Sequence, residues 1–348
     1  MTQRVVQPFS LSTADNCQTV KDQIKNHKDQ LKSRAVGGKH EAACVTSEPS
    51  TRKMTASGTV PAPDWCTPDE VVTTRHAACG MGTFQLHVYD IENGGEIGGM
   101  YVGRLGYMST DPQLIDWQYE ASQQFTGIWG AAEGTTVTGT GQCDGDCITS
   151  SQEWPTQVAV EDGFWEDYVV GESTTYQPGE IGSGILEATA TFTNPGWLEP
   201  VVTSGATPAV RCDNMFSTSI AAGCVVPTVK PVMIYELGGP YPELARHIQE
   251  AQAKGLPGGT ADQPLTRTTE KDAQDRNSKV ACPTSFPKKP GEDCDEYPFA
   301  STWEGAAFGP YDAEAINSKQ NQLGGNALQQ FYNQERVLNH DPFVVTIV

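Results

Sequence analysis

The residue types best suited to chemistry cluster near the C-terminal end. They lie in Asp293-Cys294-Asp295-Glu296-Tyr297-Pro298-Phe299-Ala300, with Glu304-Gly305 four residues further on. Up to four carboxylates here surround an aromatic-Pro-aromatic core. A carboxylate set among bulky apolar groups must be paired or coordinated. Taken alone, the stretch reads either as an acidic turn anchored by Tyr297 and Phe299 or as a binding site. Its neighbours add His247, Arg267 and Arg276 upstream and Asn321 downstream. Oxygen ligands suit a hard divalent cation, a histidine titrates near neutrality, and arginine grips phosphate oxygens with paired hydrogen bonds. Together these groups suit phosphodiester hydrolysis, which needs an activated water, charge neutralisation and help for the leaving oxygen.

The elements that must position these residues are only partly readable. Glu236-Leu237-Gly238-Gly239-Pro240 marks a boundary, after which Tyr241 to Lys254 reads as a helix. Pro242 suits the first turn, and Leu244, Ile248 and Ala251 form an apolar stripe. His247 stands beside that stripe, so its ring points partly inward, as a hydrogen-bonded core histidine or a catalyst. Gly255-Leu256-Pro257-Gly258-Gly259 ends the helix. A polar segment through Ala273-Gln274-Asp275-Arg276-Asn277 follows, and Cys282 and Cys294 flank a Pro/Lys-rich loop. Asp312 to Gln322 is predicted helical, broken at Gly324-Gly325 and resumed over 326–333. Phe343 to Val348 is predicted as a terminal strand.

Before the boundary the texture differs. Residues 1–12 read as a loose arm. Residues 13–34 read as a helix capped by Thr13 or Asp15, with Val20, Ile24 and Leu31 as a partial stripe and Lys21, Lys25, Lys28, Lys32 and Arg34 as a solvated basic face. Residues 35–65 read mostly as loop. From 66 to 235 the pattern is β: Phe84–Tyr89, Ile115–Ala121 and Leu186–Phe192 alternate with period two between Gly, Pro and Asn signals. Many such strands without a long helix predict an antiparallel sandwich or barrel-like sheet. Cys143-Asp144-Gly145-Asp146-Cys147 reads as a disulfide-closed turn, lacking the ligand ladder of an EF-hand. His76 and His87, without acids at a useful spacing, read as structural or surface residues.

The ten cysteines (Cys17, Cys44, Cys66, Cys79, Cys143, Cys147, Cys212, Cys224, Cys282, Cys294) form no paired zinc pattern and read as five disulfides made in an oxidising compartment. Sequential pairing is the expectation: 17–44, 66–79, 143–147, 212–224 and 282–294. The start Met1-Thr2-Gln3-Arg4 has no apolar signal core, so the expectation is a mature secreted chain whose signal is absent. No apolar run is long enough to span a membrane. The net charge of −20 counts against general coating of nucleic acid or anionic membrane. Residues 237–348 hold 10 Lys and Arg against 15 Asp and Glu, a net −5, leaving −15 in residues 1–236.

The segment from about 236 to 348 resembles the NucA/NucB family of secreted bacterial deoxyribonucleases. The likeness rests on Tyr241-Pro242-Glu243-Leu244-Ala245-Arg246-His247-Ile248, Leu265-Thr266-Arg267, Ala273 with the Arg276-Asn277 pair, Asp295-Glu296-Tyr297-Pro298-Phe299-Ala300, and Glu304-Gly305. It departs from the family at Cys294, where shorter members carry Arg, and at Tyr297, where they carry Trp. Arg276-Asn277 reverses an Asn-Arg order, and Ser301-Thr302 replace Met-Cys. The β-rich region has no counterpart in the short members.

Length and strand patterning together with the resemblance give two domains: a mainly β N-terminal domain (an arm and helix over 1–65, an accessory domain over 66–235), read from the patterning, and a small α+β nuclease domain over 236–348, implied by the resemblance. The resemblance implies a metal-assisted endonuclease cutting DNA with little sequence specificity. Asp295 and Glu304 are expected to hold one Mg²⁺ or Mn²⁺, with Glu296 assisting. His247 is the expected general base, Asn321 orients a ligand or metal water, and Arg267 and Arg276 hold phosphate. In the other assignment Asp295 or Glu304 is the base and His247 a support. The β-rich domain would dock to a surface, to an inhibitor or to the nuclease. The competing readings are a disulfide-rich extracellular binding protein with an inactive nuclease-like domain, and a toxin delivered to competing cells.

Overall fold

The computed structural model describes residues 3–10, 12–13, 17–34, 40–48, 63–216 and 220–348. The chain divides into two compact units. One comprises Arg4–Asn214 and Ala222–Val226; the other comprises Pro227–Val348 with Met1–Gln3 and Met215–Ala221.

The first unit is two open antiparallel sheets. The larger runs Val5–Pro8, Glu70–Thr73, Ala77–Asp90, Glu96–Thr110, Asp116–Gly130, Phe164–Ser173, Cys147–Glu153, with Glu41–Glu48 also paired to Ala77–Asp90. The smaller is built on Thr136–Gly145, Ile181–Thr193 and Val201–Ala206, with Gln157–Val158, Ser12–Thr13, Val210–Asp213 and Gly223–Val225 at its margins. The period-two alternation explains why they stack: every second residue of Ile181–Thr193 is buried. Phe84, Val102 and Phe125 of one sheet share a core with Val137, Phe192 and Val201 of the other. The Phe192 ring lies edge-on to Phe84 at 6.0 Å and to Phe125 at 6.5 Å. Truncating such a buried aromatic typically costs about 3–5 kcal/mol. Among the described residues neither sheet closes on itself, so the architecture is a sandwich and not a barrel.

All five cysteine pairs are those expected from sequential pairing. Several sequence expectations change. Val5–Pro8 is no loose arm: it pairs antiparallel with Glu70–Thr73. Glu41–Glu48, read as loop, is a strand on Ala77–Asp90 whose Cys44 bridges to Cys17 of the Cys17–Asn26 helix. Its apolar residues, Ala42-Ala43-Cys44-Val45, run consecutively rather than alternating and are short and small, so no strand period marks the segment. The predicted 13–34 helix is two helices, Cys17–Asn26 and Lys28–Arg34; the proposed caps Thr13 and Asp15 lie outside the residues whose side chains are described. His87 does find an acid, the Glu96 carboxylate at 2.9 Å, supplied by the neighbouring strand rather than by sequence proximity.

The second unit mixes helices and small sheets. Val232–Tyr235 pairs in parallel with Pro342–Ile347, which pairs antiparallel with Leu265–Thr266. Glu292–Tyr297 and Asp312–Asn317 form a hairpin-like pair. The helices are Pro242–Ala253, Lys271–Ala281 and Ser318–Gln334. The apolar faces of Pro242–Ala253 and Ser318–Gln334 join Tyr235, Ile248, Tyr297, Phe331, Phe343 and Val345 in one core. The predicted break at Gly324-Gly325 does not occur, and Asp312–Asn317 is strand. A Cβ on Gly324 would stand 1.9 Å from the Leu244 side chain, so this glycine permits helix–helix contact instead of ending a helix. The Asn317 side chain accepts the Lys319 and Gln320 amides and starts the long helix at Ser318.

Candidate active site

A cleft of about 400 Å³ opens in the second unit, lined among others by Asp295, Glu296, Asn321, Arg267, Lys271 and Tyr332. The Glu292–Tyr297 strand supplies the acids, held on one side by the Asp312–Asn317 strand and tied at Cys294 to Cys282, the residue that caps the Lys271–Ala281 helix.

Asp295 is 6% exposed. Its Oδ2 meets His247 Nδ1 at 2.5 Å. His247 follows Leu244 by one turn, on the buried edge of its helix, and is 1% exposed. It does not line the cleft; it backs Asp295. Burial opposes charge on the imidazole, but the hydrogen bond and charge of Asp295 outweigh it, and the His247 pKa is raised. Its Nε2 is buried with no hydrogen-bond partner among the described residues.

Glu296 stands beside Asp295 at the cleft. Burial and then the neighbouring Asp295 charge push its carboxyl up to about 7, against the partial relief of a Ser278 hydroxyl donating at 3.4 Å. Such a group exchanges protons at neutral pH. Asn321 donates its amide to the Cys294 carbonyl at 3.1 Å, which turns its amide oxygen free of that bond.

On the cationic side, Arg267 lies over the Tyr332 ring, 4.4 Å from its centroid, and donates to the Val337 carbonyl. Lys271, on the first turn of its helix, lines the same cleft and pairs with Asp275 at 2.6 Å. The sequence reading missed Lys271 together with its helix, because that segment has almost no apolar stripe. A signal existed in Lys271, Gln274 and Ser278, which share one helix face and all line the cleft.

Two expected site residues stand elsewhere. Glu304 Oε2 accepts the Thr266 amide at 2.8 Å, beside Arg267 in sequence, and Glu304 is not among the cleft-lining residues. Arg276 is exposed, with its guanidinium 5.2 Å from the Phe308 ring centroid and its Nε on the Asp272 carbonyl at 3.2 Å. Its neighbour Asn277, fully buried, is the better placed of the pair. Its amide nitrogen donates to the Ala300 and Thr302 carbonyls, both at 2.9 Å, and its oxygen accepts the Ala307 amide at 3.0 Å. It thereby fastens the loop after Asp295-Glu296 to the Lys271–Ala281 helix.

Among the described residues no three His, Cys, Asp or Glu side chains converge closely enough to cage a metal ion. The oxygen donors of the cleft (Asp295, Glu296 and the Asn321 amide) suit a hard cation held by one or two carboxylates that keeps most of its waters. Among the described residues no helix is long and apolar enough to cross a membrane.

Residues 248–346 match the family model described as Deoxyribonuclease NucA/NucB, so the C-terminal third of the chain carries this domain. The match includes every cleft acid and both arginines, and begins directly after His247. The β-rich unit lies outside it. No curated protein matches the chain significantly.

Proposed function

We propose that the second unit hydrolyses DNA phosphodiester bonds as a metal-assisted endonuclease with little base-sequence preference, and that the chain works outside the cell. One observation carries the reading: adjacent carboxylates, Asp295 and Glu296, share a cleft with two cations, Arg267 and Lys271. The family match names DNA as the substrate class, and five disulfides fit an oxidising exterior.

Asp295, with the Asn321 amide oxygen, would hold a divalent cation such as Mg²⁺ or Mn²⁺, which leaves the Glu296 carboxyl free of it. When bound, it would supply positive charge to the developing phosphorane oxygens. Arg267 and Lys271 bind the non-bridging oxygens of the scissile phosphate. Glu296, half ionised near neutral pH, takes the proton of the attacking water. His247, sealed behind Asp295, acts as a positioning residue that fixes the carboxylate by its Nδ1–H. Glu304 orients the strand that carries Arg267. Arg276, on the outer surface beside Phe308, meets the flanking strand rather than the reacting phosphate. These contacts address phosphates and not base edges, so cutting is insensitive to sequence and weakens with salt.

The test is nicking of supercoiled plasmid by the full oxidised chain with Mg²⁺, with Mn²⁺ and with chelator, beside Asp295→Asn and Glu296→Gln. The expected result is cation-dependent nicking that chelator abolishes and either substitution lowers at least a hundredfold. A folded, oxidised chain that leaves plasmid intact with both cations refutes the reading.

A further inference from the structure

The β-rich unit contains a buried cation that no described residue neutralises. Arg104 lies in Glu96–Thr110, two residues after Val102, on the face turned to the inter-sheet core. It is 2% exposed. Its Nη2 donates to the Ala188 carbonyl at 3.3 Å, and its Nη1, also buried, meets no acceptor. No carboxylate pairs with it among the described residues.

Two more polar side chains of the two sheets are buried and unsatisfied among the described residues, although neither lines the cavity at Arg104. Gln123, the cross-strand partner of Arg104, is fully buried, with neither its amide nitrogen nor its amide oxygen bonded. Thr203 on the facing sheet is fully buried with an unbonded hydroxyl. Two residues along, Gly205 makes room: a Cβ there would stand 3.2 Å from Arg104 Nη2. Arg104 lines a cavity of about 60 Å³ with Gly106, Met108, Tyr119, Gly205 and Phe9.

Guanidinium does not give up its proton inside a protein. Taking it from water without a counter-charge costs several kcal/mol. Water in the cavity supplies acceptors but no charge. A carboxylate supplies both, and its two oxygens match the planar guanidinium fork. At about 30 Å³ for each water in the liquid, the space holds two waters or one ligand of three or four heavy atoms. We propose that the β-rich unit binds a small free carboxylate, the size of formate or acetate, in the cavity beside Arg104, with the Arg104 guanidinium as its counter-ion.

The experiment is saturation-transfer NMR on the acetate methyl signal with the full oxidised chain, followed by formate competition and by Arg104→Gln. The expected result is transfer in the wild type that formate displaces, with affinity at least tenfold weaker in the variant. Absence of transfer to folded wild type, or equal transfer in Arg104→Gln, overturns the proposal. Where the variant does not fold, a crystal structure of the wild type grown in acetate decides. Planar density against the guanidinium supports the site, and rounded water density alone overturns it.

Discussion

Glu296 should weaken the fold in which it sits, and replacing it should reveal by how much. Its carboxyl titrates at about 7 in the folded chain, against 4.5 for the free side chain, a displacement of about 2.5. The folded state therefore holds this proton more tightly than the unfolded state. Stability is unaffected below about pH 4.5, declines as pH rises, and reaches its full loss above pH 7. At 1.36 kcal/mol per unit, the loss is about 3 kcal/mol. Glu296→Gln keeps the shape and can still accept the Ser278 hydroxyl, but carries no charge at any pH. It should match the wild type at pH 4 and exceed it by about 3 kcal/mol at pH 8, a rise of up to about 10 °C in Tm for a unit of this size, while losing activity. Calorimetry on both proteins at the two pH values, with chelator present, measures this. A difference that is the same at pH 4 and pH 8, or a variant weaker at pH 8, would show that Glu296 is not held in a desolvated, charge-repelling place.

Asn277→Ala should cost about 3 kcal/mol or more, because the Ala300 and Thr302 carbonyls and the Ala307 amide lose their partner together; chemical denaturation reads it. Arg267→Lys should raise KM about tenfold with a smaller change in kcat, since a point charge replaces a fork already stacked on Tyr332. Replacing Cys282 and Cys294 together by Ala should destabilise the second unit by about 3 kcal/mol and lower nicking, because that bridge joins the Asp295 strand to the Lys271–Ala281 helix.

Local patterns in the sequence were read well where neighbours decide the structure. Leu244, Ile248 and Ala251 placed the helix and the inward turn of His247, and near-neighbour cysteines paired as spacing suggested. What escaped was set by distant contacts. Gly324 carries the same local signal whether it breaks a helix or admits Leu244 against it. The Lys271–Ala281 helix gains its place from Ala273, Asn277 and Ala281, three small or polar residues that give little hydrophobic periodicity. The acids were legible as a cluster. That Asp295 faces His247 while Glu304 turns to the Thr266 amide depends on strand register, which no spacing along the chain encodes.

The strand order of the second unit has a consequence for how the protein is made. Pro342–Ile347 lies between Val232–Tyr235 and Leu265–Thr266, so the middle of that sheet is the last part of the unit to be synthesised. Val232 waits for Val344, its register partner. A chain emerging N-terminus first can complete its β-rich unit early, but long-range parallel pairing of this kind is slow and cannot begin before its partner strand exists. Arg267, which follows Leu265–Thr266, is set in place only when that middle strand arrives. The cleft is thus assembled only once Pro342–Ile347 has been made, so the residues that line it stay unset while the rest of the unit is synthesised.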